Sequence, residues 1–188
     1  PFIGTKENFI RTANRLDYSL KPIERTVSDE LKEANFDVIA IGKIYDIFDG
    51  EGITHHMRST SNEDGVNTLL HSVDTDFDSL YGHRRDPIGY AKALESFDER
   101  LPEIVNKLND DDLLIITADH GNDPTFHGTD HTREYVPLFV YHHNIKTGRS
   151  LGIRKAFADV GATIAHNFNV PIPKHGISFL HDITKENE

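Results

Sequence analysis

Cysteine and tryptophan are absent from this chain of 188 residues, and methionine occurs once, at Met57. Without cysteine the chain has no disulfide framework, no thiol nucleophile and no zinc site built on thiolates. Positive charge is scarce as well, because 20 Lys and Arg face 31 Asp and Glu, giving a formal net charge of −11. A nucleic-acid-binding domain typically carries a basic patch, so this composition argues against a nucleic acid partner.

Long apolar segments are also missing. The longest apolar runs, such as residues 113–116, have four residues, far below the ~18 residues that a membrane-spanning helix needs. No charged-then-apolar leader opens the chain. We therefore expect a cytoplasmic protein that contacts no membrane. Because the chain starts at Pro1 and its one methionine is internal, we also expect it to be part of a longer protein.

The hydrophobic pattern predicts alternating strands and helices. Apolar residues at three- and four-residue spacing predict helices at residues 23–34, 66–71, 88–108 and 154–168. Short β-branched runs predict buried strands at residues 36–42, 112–118 and 135–141. Residues 1–20 favour a loop or an edge strand, and residues 43–61 favour a loop. The alternation predicts an α/β fold with a mainly parallel sheet covered by helices on both faces.

Acidic and imidazole side chains concentrate directly after the strand predicted at residues 112–118. The cluster comprises Asp119, His120, His127, Asp130 and His131. Ligands of α/β proteins collect at the carboxyl ends of strands. Carboxylate oxygen and imidazole nitrogen together suit Mn²⁺, Zn²⁺ or Fe²⁺ better than Ca²⁺, which prefers oxygen alone. The alternative is an aspartate that caps a turn, accompanied by surface histidines.

A second group of potential ligands precedes the long helix. Asp78 and His83 are five residues apart, and Gly82 could turn the loop so that both face one ion. By itself this pattern is more typical of a surface loop. Together with the first cluster it could hold two ions ~3.5–4 Å apart, the arrangement that clamps the attacking and leaving oxygens in phosphoryl transfer. The adjacent Arg84 and Arg85 could bind an anion, although arginines beside acidic residues more often form surface ion pairs.

Several segments of the sequence resemble one enzyme family. They are residues 117–124 (TADHGNDP), 128–137 (GTDHTREYVP), 78–87 (DSLYGHRRDP), 14–22 (NRLDYSLKP) and 41–52 (IGKIYDIFDGEG). In combination they closely resemble bacterial phosphopentomutase, a family of the alkaline phosphatase superfamily. The resemblance covers nearly the whole chain.

The resemblance implies an enzyme that uses two Mn²⁺ ions to interconvert ribose 1-phosphate and ribose 5-phosphate, or the deoxyribose pair. Phosphate moves through a phosphorylated threonine and a bisphosphorylated sugar, which acts as activator. Residues 1–21 correspond to the end of an inserted cap domain and its hinge. Residues 22–188 correspond to the C-terminal part of the metal-binding, alkaline-phosphatase-like core.

The resemblance also assigns residues. It places Asp119 and His120 on one manganese ion, and Asp78, His83 and His131 on the other. It places Arg11, and with it Lys43, at the phosphate of the pentose phosphate substrate.

Two departures from the family affect what the chain can do. The nucleophilic threonine and a further metal-binding aspartate belong to the family's N-terminal half, which this chain does not match. The segment of residues 71–77 is shorter and more polar than the strand that the family has at this place. We therefore expect the chain alone to be inactive. The alternatives are a metal-dependent phosphatase or phosphodiesterase of the same superfamily, and an inactive metal-binding fragment.

Overall fold

The computed structural model describes residues 2–11, 19–59, 81–145 and 148–184. The chain there forms β1 (Phe2–Thr5), β2 (Asn8–Arg11), α1 (Val27–Glu33), β3 (Ile39–Ile41), α2 (Ile44–Ile47), β4 (His55–Met57), α3 (Pro87–Val105), β5 (Leu114–Thr117), β6 (Leu138–Tyr141), α4 (Ala158–Asn167) and α5 (Leu180–Thr184). Among the helices in these ranges, none is long and apolar enough to cross a membrane.

The strands of the described residues pair in three two-stranded sheets. β1 and β2 form an antiparallel hairpin, β3 and β4 are parallel, and β5 and β6 are antiparallel with Leu114 opposite Tyr141. A mainly parallel sheet is therefore not seen in this part of the chain and stays a prediction. The β5–β6 pair runs antiparallel over a connection without a helix, whereas parallel neighbours usually need a helical crossover.

Helix starts follow from local capping. α1 begins at Val27, later than predicted, because the Thr26 backbone N–H donates to the Asp29 carboxylate at 2.7 Å in a capping box. α3 begins at Pro87, and the Asp86 side chain before it accepts from the Gly89 backbone N–H at 2.9 Å. Proline suits this first position because its missing N–H has no partner to lose. α3 then continues through Pro102 without a break in its 19 residues.

The loop predicted over residues 43–61 is wrong in part, because α2 and β4 lie within it. Both elements are short, and the strand contains the polar pair His55 and His56, so neither produces a recognisable hydrophobic period. The helix predicted at residues 66–71 lies outside the described residues.

An apolar core forms where α1 packs against α4. Leu31 of α1, Ala165 of α4 and Val170 are buried together, with Val27 and Ile164 packed around them. Ala165 is fully inaccessible to solvent. Small side chains on α4 let the two helices approach closely, so this contact removes apolar surface from water.

A buried polar network fixes the segment after α4. The Asp159 carboxylate accepts from Arg154 Nε at 2.9 Å and from the Ile177 backbone N–H at 2.8 Å. The Thr163 hydroxyl donates to the Asp159 carbonyl at 2.7 Å and accepts from the Phe179 backbone N–H at 3.0 Å. Each buried polar group thus has a partner, as stability requires.

Candidate metal centre

The candidate site lies on the connection between β5 and β6. At its base the Thr117 hydroxyl donates to the Pro137 carbonyl at 2.8 Å. Further out, the Thr132 backbone N–H donates to the Gly121 carbonyl at 3.1 Å in an isolated antiparallel bridge. A Cβ at position 121 would lie 2.8 Å from the Thr132 carbonyl oxygen, so this close approach requires glycine. We call residues 121–132 the site loop, and this bridge joins its first residue to its last.

Three of the five predicted metal ligands come together at this loop. The rings of His120 and His131 stack with centroids 3.7 Å apart and an interplanar angle of 21°. The His83 ring lies 4.8 Å from the His131 ring, tilted by 34°. The two ligand groups of the sequence, around residues 83 and 120, thus meet through His131.

Backbone carbonyls set the tautomers of two of these imidazoles. His83 Nδ1 lies 2.5 Å from the Thr129 carbonyl oxygen, and His120 Nδ1 lies 3.2 Å from the Gly121 carbonyl oxygen. A carbonyl only accepts, so these contacts are made by the tautomer with the proton on Nδ1, which in a neutral imidazole has its ring lone pair on Nε2. Metal-binding histidines are typically held in this way by a carbonyl or carboxylate on the other nitrogen.

Asp119 is the ligand candidate whose carboxylate turns toward its own neighbour. Its side chain is 82% exposed, and Oδ2 lies 3.5 Å from His120 Nε2. Oδ1 accepts from the His120 backbone N–H at 3.1 Å. Both contacts are with the adjacent His120, and the role of Asp119 as a metal ligand stays a prediction.

The donor types fit a divalent cation that accepts nitrogen and oxygen, with the imidazole lone pairs on Nε2. The donor atoms do not converge on one point, however. Within the described ranges no three His, Asp or Glu side chains are arranged to hold an ion. Asp78, the fifth predicted ligand, lies outside these ranges.

Arg85 contacts the site loop through every nitrogen of its guanidinium group. Nε donates to the Gly128 carbonyl at 2.5 Å, and Nη2 donates to the Asp130 carbonyl at 2.5 Å. Nη1 donates to the Asp123 carbonyl at 2.6 Å and to the Asn122 side-chain oxygen at 3.0 Å. Neither an anion site nor a surface ion pair, the two interpretations drawn from the sequence, describes these contacts. These hydrogen bonds join residues 37 to 45 positions apart, so no local sequence pattern predicts them.

Asp123 stabilises the turn inside the loop. Its carboxylate accepts from the Thr125 hydroxyl and from the Thr125 backbone N–H, each at 2.7 Å. These hydrogen bonds, together with the nearby charge of Arg85, hold the pKa of Asp123 below its usual range. The ionised form of this carboxylate is therefore the one that the loop favours.

The remaining predicted site residues lie elsewhere. Lys43 is half-buried at the N-cap of α2, two residues after β3, which belongs to a different sheet from β5. Arg11 ends β2, opposite Phe2, and its side chain is outside the description. His127 is exposed, with its ring 4.1 Å from that of Phe126.

Comparison with known families adds the decisive observation. Residues 5–172 match the sequence model of the metalloenzyme superfamily. The chain belongs to the metalloenzyme superfamily. This superfamily is alkaline-phosphatase-like, has an α/β fold and comprises enzymes that use a metal ion as cofactor. The metalloenzyme assignment confirms the α/β class and metal dependence expected from the sequence.

Proposed function

We propose that this metalloenzyme is the metal-binding part of a cytoplasmic phosphopentomutase. The enzyme interconverts ribose 1-phosphate and ribose 5-phosphate, or the deoxyribose pair, and a bisphosphorylated sugar acts as activator. The observation that carries the proposal is the meeting of His83, His120 and His131. These residues come from three segments that resemble the family's metal-binding motifs, at residues 78–87, 117–124 and 128–137.

The proposed metal centre holds two Mn²⁺ ions. Asp119 and His120 serve one ion, and Asp78, His83 and His131 serve the other. The stacking of His120 on His131 at 3.7 Å supports neighbouring positions for the two ions, since two-metal sites hold their ions ~3.5–4 Å apart. When bound, the ions stabilise the charge that develops on the transferring phosphoryl group.

Side chains of the chain itself bind and orient the pentose phosphate. Arg11 binds its phosphate through a bidentate guanidinium fork, and Lys43 adds a second positive charge. The carbonyls of Thr129 and Gly121 keep His83 and His120 in the tautomer that offers Nε2. In this proposal residues 1–21 belong to the cap and its hinge, and residues 22–188 to the core.

The chain of 188 residues should not turn over substrate by itself. Phosphoryl transfer through a phosphoenzyme needs an activated hydroxyl beside the metal ions, and the family's nucleophilic threonine has no counterpart in the segments that match. The test is ³¹P NMR of ribose 1-phosphate with MnCl₂ and a bisphosphorylated sugar. It compares the 188-residue chain, its His120→Ala variant and the product of the full open reading frame.

We expect ribose 5-phosphate only with the product of the full open reading frame. Isomer formation by the 188-residue chain above the His120→Ala background would show that the chain carries its own nucleophile. Release of inorganic phosphate in place of the isomer would favour a phosphatase or phosphodiesterase of the superfamily. Absence of any phosphoryl chemistry in the longer product would refute the proposal.

A further inference from the structure

Arg85 stands between the two groups of proposed ligands. It follows His83 by two residues, and its side chain reaches across to the site loop that carries His131. Three of its four hydrogen bonds end on main-chain carbonyls, at Asp123, Gly128 and Asp130. The fourth ends on Asn122, which is buried in the loop.

We propose that Arg85 is a positioning residue of the metal centre, which fixes the site loop against the segment of residues 81–86. In doing so it holds His131 between His83 and His120. The link to a metal ion rests on the proposed function, whereas the positioning of the loop is a property of the protein without metal.

The guanidinium group is suited to this role and lysine is not. Arginine presents its N–H donors in a rigid planar fork, whereas the ammonium group of lysine is a single point with rotatable donors. Oxygens of four different residues surround the three guanidinium nitrogens. A single ammonium nitrogen cannot reach all of them from one position, so the loop would lose part of its support.

The backbone of Arg85 points to the same conclusion. Its φ is +54°, in the left-handed region that residues other than glycine seldom adopt. Such a conformation persists where the surroundings determine it strongly. The Arg85 backbone N–H donates to the Gly82 carbonyl at 3.1 Å, and the Asp86 backbone N–H donates to the Tyr81 carbonyl at 3.1 Å. The turn and the side chain thus secure the position together.

Direct binding of substrate phosphate by Arg85 is disfavoured by the same contacts. Nε and both Nη atoms already donate to loop oxygens. A phosphate in the fork would have to displace the hydrogen bonds that shape the loop. Arg84, its exposed neighbour, provides the matched control, since it has the same side chain one position away.

The experiment compares Arg85→Lys with Arg84→Lys, because both variants keep a long, positively charged side chain at their positions. Hydrogen exchange of the Asp123 and Thr132 amides is measured first without metal, with the amides of α4 as internal reference. Mn²⁺ affinity is then measured from the EPR signal of the free ion. We expect Arg85→Lys to speed exchange in the loop alone and to weaken Mn²⁺ binding by ~10–100-fold, typical of residues that orient ligands. Arg84→Lys should match the parent chain in both.

A second pair of variants separates positioning from folding. Guanidinium ion at millimolar concentration should restore Mn²⁺ affinity to Arg85→Ala but not to His120→Ala. Unchanged loop exchange in Arg85→Lys would overturn the inference, and so would faster exchange in α4 equal to that in the loop. If the loop loosens as expected while the parent chain binds no Mn²⁺, the positioning stands and the proposed metal centre fails.

Discussion

The α1–α4 core and the site loop are stabilised by different forces. In the core, Leu31, Ala165 and Val170 are removed from water by contacts between apolar side chains. In the site loop, residues 125–131 are exposed, and directional hydrogen bonds to Arg85 and Asp123 set the shape. Apolar burial is non-directional and spread over many atoms. The loop instead depends on a few polar groups, so single substitutions can reshape it while the core stays folded.

The largest loss of stability should come from the network that borders the core. Asp159→Ala leaves the half-buried Arg154 without the carboxylate it contacts at 2.9 Å. It also removes the acceptor of the Ile177 backbone N–H. Breaking a buried ion pair by removing one partner typically costs about 3–5 kcal/mol, and we expect a decrease of that size in the free energy of unfolding in urea.

Asp98→Ala is the control for this prediction. Asp98 is exposed on α3, where a substitution changes stability by about 0.5 kcal/mol or less. If the two variants unfolded at the same urea concentration, the network around Asp159 would contribute nothing beyond a surface residue, and the contrast between core and loop would weaken.

Just before the site loop, a substitution should affect metal binding more than folding. Asp119→Asn replaces a proposed ligand whose side chain is 82% exposed, so it should abolish most Mn²⁺ binding with little change in the melting temperature of the metal-free chain. Added Mn²⁺ should raise the melting temperature of the parent chain by mass action. Asp119→Asn should remove most of that rise, as differential scanning fluorimetry can measure.

His127→Ala is the matched control, since His127 lies in the adjacent site loop but contacts Phe126 and not the stacked histidines. The rise with Mn²⁺ should survive in this variant. Equal losses in the two variants would mean that the ion binds somewhere other than at Asp119 and the stacked histidines.

The smallest expected effect is the pH dependence of the contact between Asp123 and Thr125. The fold lowers the pKa of Asp123, so its carboxylate stabilises the loop at neutral pH. That contribution is lost as the pH falls through the lowered pKa. The backbone amide resonance of Thr125, which Asp123 binds at 2.7 Å, should therefore shift in acid in the parent chain.

Asp123→Asn should remove this shift, because an amide does not titrate in that range. Asp130→Asn, in the same loop, should retain it. A Thr125 resonance that titrates equally in the two variants would assign the acid effect to another group.

The sequence predicted the parts of the site that lie close together along the chain. β5 was expected within residues 112–118 and spans Leu114–Thr117. Asp119 and His120 follow that strand as expected, and the resemblance selected His131, whose ring stacks on that of His120. The local hydrophobic pattern and the dense run of ligand-type residues were sufficient to predict the strand and the residues that follow it.

Contacts between distant segments were not predictable in this way. The direction of β6 depends on a connection without a helix, and β4 is a strand of three residues whose pairing with β3 sets its structure. The role of Arg85 depends on carbonyl groups, which every residue carries and no sequence pattern reveals. Predictions about Asp78 and the Arg11 side chain stay predictions, since both lie outside the described part of the chain.

The contacts of Arg85 also bear on how the site loop can vary during evolution. A main-chain carbonyl is present whatever the side chain, so substitutions at Asp130 leave the acceptor of Nη2 in place. At Gly128 a Cβ would meet no atom within 4 Å. Glycine is favoured there because the backbone has a φ of +81°. Substitutions in the loop other than at Asn122, whose side chain accepts from Nη1, are therefore compatible with an unchanged set of guanidinium contacts. The same freedom does not extend to Arg85. In a set of related chains, we expect arginine at this position to persist beside a loop whose exposed side chains differ.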